Sequence, residues 1–330
     1  MGNSLERKYM TRECITTRNF LYHFIDTGPS TGPAGPTTLL LHGHGDYSFG
    51  WRDVIPVLYA KGMRCIAPDL LGFGKTSKPV EKEAYRAKSM CRDMLELLAS
   101  AGIQKDQKVL VVGHDWGTHL ASRLTLHYPE KILSIVTMAA PYMPPLPQPT
   151  SLDEFTTTLP NFSYWKFFVS KSFPILLRNN LPLFWKAVVC AGNETPIPMS
   201  DLEGFLSAVR AKDESVERPA LWDQATYEAY TSTYIRGGWE APMNWYKAFF
   251  DNFEDEKQFL EGRFEHPMLM IAGENDPAVP VGVIKMSEKF LAKPTVLSLQ
   301  CGHWVLQETG AELAQAIVEW LQSNGGFTGT

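Results

Sequence analysis

No two cysteines of the 330-residue sequence stand in a C-x-x-C spacing: Cys14, Cys65, Cys91, Cys190 and Cys301 are odd in number and widely scattered. That excludes a disulfide framework and a zinc knuckle, and it suits a reducing, cytoplasmic compartment. No run of about 18 apolar residues occurs, so no membrane span is expected. The opening MGNSLERKYM lacks the apolar stretch of a secretory leader, and Glu6 stands where a myristoylation signal carries Ser or Thr. Charge of one sign is not concentrated either. The 31 Lys and Arg against 36 Asp and Glu leave a net −5 without long runs, which points away from nucleic acid and anionic membranes. Internal repeats and long low-complexity tracts are also missing, and nothing indicates a metal or a cofactor.

What is present is a chain that is 44% hydrophobic, enough for a sizeable buried core. Short apolar or β-branched runs at 37–43, 63–70, 108–113, 132–139, 267–273 and 295–300 alternate with helical patterns such as 86–101 and 311–322. Continuous apolar runs between helices predict a buried, mostly parallel sheet flanked by helices. Chemistry in such sheets gathers beyond the carboxyl ends of the strands. Between 143 and 262 the strand-like runs stop, and 21 of the 39 aromatic residues fall there. We read 1–142 and 263–330 as the two parts of one α/β core, and 143–262 as an inserted helical cap over an apolar pocket.

The stretch VLVVGHDWGTHLA at 109–121 puts Asp115 on a turn between an apolar run and a helical pattern, bracketed by Gly113 and Gly117. The layout resembles the nucleophile elbow of α/β-hydrolases, with Asp in the place usual for Ser. An ionised carboxylate there attacks to form an ester, which a positioned base must then help water to cleave. Of the eight histidines, His119 and His127 lie in the following helix, His23 lies in an early strand, and His266 precedes a strand at the wrong end of the sheet. His114 is inside the turn and is expected to pack or bond locally. His303 follows the last predicted strand and is the candidate base. Its acidic partner is expected in GENDPAVP at 273–280, where Asp276 is the candidate and Glu274 the competitor. Asp115, Asp276 and His303 then run in the order nucleophile, acid, histidine of the α/β-hydrolase fold. The amides of Trp116 and His44 are the expected oxyanion donors.

HGHGD at 42–46, GFGKTSKP at 72–79, GHDWG at 113–117, GENDPAVP at 273–280 and CGHW at 301–304 together resemble the soluble epoxide hydrolases of the α/β-hydrolase superfamily. The Asp-Trp pair alone fits haloalkane dehalogenases equally well. The resemblance further implies two cap tyrosines over the nucleophile, and the matching positions are Tyr164 in NFSYWKFF and Tyr246 in PMNWYKAFF. Two phenols hold the alkoxide of an opened epoxide, whereas a halide leaving group needs no proton. The implied activity is therefore cofactor-independent hydrolysis of a small apolar epoxide to a vicinal diol, in a detoxifying role. The rivals are a haloalkane or haloacid dehalogenase and a non-catalytic ligand-binding member of the fold. One departure stands out: the family pattern His-Gly-x-Pro reads His42-Gly43-His44-Gly45 here, and glycine is expected to permit the same turn at greater entropic cost.

Overall fold

β-Branched and aliphatic runs condense into one eight-stranded sheet, as a computed structural model of residues 4–29, 35–192, 204, 207 and 218–325 shows. Its strands are β1 Met10–Ile15, β2 Leu21–Asp26, β3 Thr38–Leu41, β4 Cys65–Pro68, β5 Val109–His114, β6 Ile132–Met138, β7 Met268–Gly273 and β8 Pro294–Leu299. Their order across the sheet is β1-β2-β4-β3-β5-β6-β7-β8. The β1–β2 and β2–β4 pairs are antiparallel, and every later pair is parallel.

Both faces of the parallel region are apolar, which is why these strands read as unbroken runs. Val109, Val111, Leu39, Leu41, Met268 and Met270 pack on one side. Leu110, Val112, Leu40, Leu269 and Ile271 pack on the other. Helices Ala87–Ser100 and Gly310–Ser323 lie against opposite faces, each turning an apolar stripe inward. Strands β3 to β8 fall within a residue or two of the six expected runs, and the α/β-hydrolase architecture is present. Strand β1 carried no such signal. As MTRECI it is a half-exposed edge strand, paired on one side only.

Between β6 and β7, which are neighbours in the sheet, the described residues form helices alone, among them Leu152–Thr158, Tyr164–Phe168, Phe173–Val188, Gln224–Gly237 and Asn244–Ala248. Residues 193–217 of the expected cap, other than 204 and 207, lie outside the described residues. The long helix bends at Asn180, two residues before Pro182, whose ring and missing N–H disturb the preceding turn. Aromatic rings make the core of this layer: Trp185 packs on Trp222, Trp239 and Tyr234, and Trp165 on Phe155 and Phe249.

One buried ion pair fastens this layer to the sheet. Arg123, on the helix Trp116–His127 that follows β5, grips Glu256 through Nε–Oε1 at 2.9 Å and Nη2–Oε2 at 2.8 Å. Its Nη1 donates to the Met143 carbonyl at 2.5 Å. A single guanidinium thus holds the chain near where it leaves the sheet and near where it returns.

Candidate active site

Strand β5 ends at His114 and the next helix begins at Trp116, so Asp115 alone makes the turn, with φ 51° and ψ −117°. A non-glycine residue there is strained by on the order of 1–3 kcal/mol, and its surroundings hold it in place. The Asp115 amide donates to Met138 O at 3.0 Å, and its carbonyl accepts from Thr118 N at 2.9 Å. The flanking glycines permit the close approach. A Cβ at Gly117 would lie 2.0 Å from Leu41 O, and one at Gly113 would lie 2.4 Å from Gly117 O.

Asp276 follows β7, with Oδ1 accepting from the amides of Ala278 at 2.8 Å and Val279 at 3.0 Å. Its Oδ2 lies 2.9 Å from Nδ1 of His303, which sits in the loop after β8. The far side of that ring looks at Asp115, with Nε2 3.8 Å from Oδ2. Burial works against the charged imidazole, but the carboxylates of Asp276 and then Asp115 outweigh it and push His303 up to about 9. Glu274, the competitor, is exposed and meets Gln300 instead. His114 departs from expectation: its bond is not local, because Nε2 donates to the carbonyl of His303 at 2.9 Å and ties the base's loop to β5.

The His44 amide donates to Asp115 Oδ1 at 2.7 Å, while the Trp116 amide opens the helix directly behind the carboxylate. Gly45 corrects one expectation. It sits at φ +78°, a left-handed conformation closed to a proline ring fixed near −65°, so this turn is not one that proline could also make.

Asp115, His303, Tyr164, Tyr246 and His44 all line one cavity of about 290 Å³, walled by Phe168, Phe184 and Trp304. Tyr246 is buried and packs edge-on against Trp116, with centroids 4.8 Å apart. Burial is the first cause that raises both phenols above their ordinary range, with the Asp115 charge adding to it, so both remain O–H donors. A chamber of about 30 Å³ lies on the other side of Asp115, against His119 and Trp165.

The other histidines are engaged elsewhere. His23 lies beside Asp69 at 3.2 Å, His266 bonds Pro129 O at 3.0 Å, and His127 packs on Phe259. Among the described residues no cluster of three or more His, Cys, Asp or Glu could hold a metal ion, and no helix is long and apolar enough to cross a membrane. Glu308 was not among the expected site residues. Its carboxylate accepts from Gly302 N at 3.0 Å, next to His303, and from Gly192 N at 2.9 Å, after the helix Phe173–Val188. Trp304 similarly donates its indole N–H to Val188 O. Only the short step from His303 to an acid in GHWVLQE could have drawn attention to Glu308, and spacing alone does not say what it accepts from.

A family model described as the alpha/beta hydrolase fold matches residues 36–308. Epoxide hydrolase srdG of Neurospora crassa is 31% identical over 338 residues, covering 93% of this chain and 94% of its own length. Bifunctional epoxide hydrolase 2 of Sus scrofa is 28% identical over 306 residues; these span 92% of this chain but 53% of that protein, about half its length. In the solved structures, epoxide hydrolase A from Mycobacterium thermoresistibile shares the fold with a TM-score of 0.78 at 23% identity, covering 95% of this chain and 98% of that one.

Proposed function

The chain belongs to the α/β hydrolase fold family and is an enzyme of the epoxide hydrolase kind within it; from that premise we propose that it turns an epoxide and water into a vicinal diol through a covalent ester on Asp115. The observation that carries this reading is the His303 ring held between two carboxylates, 2.9 Å from Asp276 and 3.8 Å from Asp115, in the cavity that Tyr164 and Tyr246 also line.

The two oxygens of Asp115 have different surroundings, and they divide the work. Oδ1 is held by the His44 amide, whereas Oδ2 accepts no such bond and is the nucleophile. Its attack on a ring carbon breaks the C–O bond, and the electron pair moves to the epoxide oxygen. Tyr164 and Tyr246 hydrogen-bond that oxygen, and one of them supplies its proton. In the second step His303 takes a proton from water, and the hydroxide adds to the carboxyl carbon of the ester. The resulting oxyanion forms on Oδ1, against the amides of His44 and Trp116. Its collapse expels the diol, which takes the proton back from His303, and leaves Asp115 as the acid, whose proton returns to the tyrosinate; Asp276 steadies the imidazolium throughout. Residues 143–262 serve as the cap that brings both tyrosines over Asp115, with 1–142 and 263–330 forming the core. The substrate is a small, largely apolar epoxide, and the compartment is cytoplasmic.

A single turnover in heavy-oxygen water tests the covalent route. With enzyme in excess, the first diol should be unlabelled and the peptide containing residues 113–117 labelled, because the new diol oxygen comes from Asp115. A labelled diol with unlabelled Asp115 would falsify the ester. A parallel screen with haloalkanes, read as halide release, separates the dehalogenase alternative.

A further inference from the structure

The backbone of His44 has a task at Asp115, but its side chain has none so far. The imidazole is boxed by Phe73, Phe168, Trp239 and Tyr246, with ring centroids 5.1 to 5.8 Å away. Neither ring nitrogen has a hydrogen-bond partner. Among the described residues, only one other imidazole is buried and unpaired at both nitrogens, His119. His119 faces the chamber of about 30 Å³, which has room for a water, while His44 lines the cavity of about 290 Å³, which has room for a substrate.

A phenyl ring in the same box would leave no polar atom unsatisfied, so an unpaired imidazole here calls for a partner that arrives from outside. Resting on the epoxide reading above, we infer that the His44 side chain determines specificity, recognising a hydroxyl substituent on a carbon close to the epoxide ring. The position is fixed by the backbone: the amide of the same residue is 2.7 Å from Asp115 Oδ1, and His44 and Asp115 line the same cavity. The torsion that turns the ring is broad and roughly two-fold, so either nitrogen can swing toward the bound molecule.

The charge state selects the type of substituent. Burial holds His44 down to about 4, so the ring is neutral at working pH and offers one donor and one acceptor. A hydroxyl mirrors that pair in either tautomer. A carboxylate would find no lysine or arginine in the lining.

Phenylglycidol and β-methylstyrene oxide differ only in one hydroxyl and serve as probes. The wild type should favour phenylglycidol in kcat/KM by about tenfold, the worth of one net hydrogen bond. His44→Phe should remove most of that preference. His44→Asn, which keeps a donor and an acceptor, should restore part of it and also serves if the Phe variant does not fold. Equal preference in the wild type and either folded variant overturns the inference while leaving epoxide hydrolysis intact. A wild type that turns over neither compound refutes the epoxide reading, and this inference falls with it.

Discussion

Neutralising Asp115 should make His303 a much weaker base. The two groups are 3.8 Å apart, and at an effective dielectric of about 20 unit charges at that distance attract by on the order of 4 kcal/mol, or roughly a thousandfold in acidity. Both side chains keep part of their surface open to the cavity, 21% and 17%, so screening reduces this to about a hundredfold. In Asp115→Asn the titration midpoint of His303 should therefore move well below its wild-type position near 9. NMR of labelled imidazoles reads this directly, with the His303 signal assigned by its loss in His303→Gln and the intact mass confirming that the amide has not hydrolysed. A midpoint that stays near its wild-type value would refute the coupling. An ester on Asp115, as proposed above, would neutralise it in the same way. His303, pushed up to about 9 in the free enzyme, would then become a base only once there is an ester to cleave. The hydrolytic step should speed up as pH rises through the lowered midpoint, because neutral His303 is the active form.

His303→Gln should form the ester in a burst and stall, with an adduct on Asp115 visible by intact mass; steady turnover without an adduct would point to another base. Tyr164→Phe or Tyr246→Phe should slow ring opening by on the order of 10²-fold in stopped-flow alkylation, comparable to losing one oxyanion donor. Glu256→Gln leaves Arg123 charged and buried, and denaturant unfolding should show a loss of about 3–5 kcal/mol. Since the folded protein raises His303 from 6.5 to about 9, that group's stabilisation is complete below 6.5 and is lost as pH climbs through 9. Thermal melts of wild type and His303→Gln should converge across that window.

How much the sequence reveals depends on how local each cause is. The parallel strands were legible because burial on both faces forces unbroken apolar runs, and the Asp115 turn because only glycine fits where position 117 meets Leu41 and position 113 meets Gly117. Asp276 and His303 were legible through chain order, and the structure brings them within 2.9 Å. Strand β1 was not, since a half-exposed edge strand has no apolar signature. The His114 bond to His303 spans 189 positions, a contact that spacing in the chain does not encode. The turn at Gly45 was misjudged because a residue name gives the range of φ it permits but not the φ it adopts.

The Glu308 carboxylate works as a latch. It holds Gly302, beside His303, through both oxygens, and Gly192, just after the helix Phe173–Val188, through Oε2. Arg123 makes a second tie, with Met143 and Glu256 attached to one guanidinium on the helix that follows Asp115. At the latch, one side chain thus ties the backbone beside His303 to the backbone that follows the helix Phe173–Val188, so a change at Glu308 is felt on both segments at once.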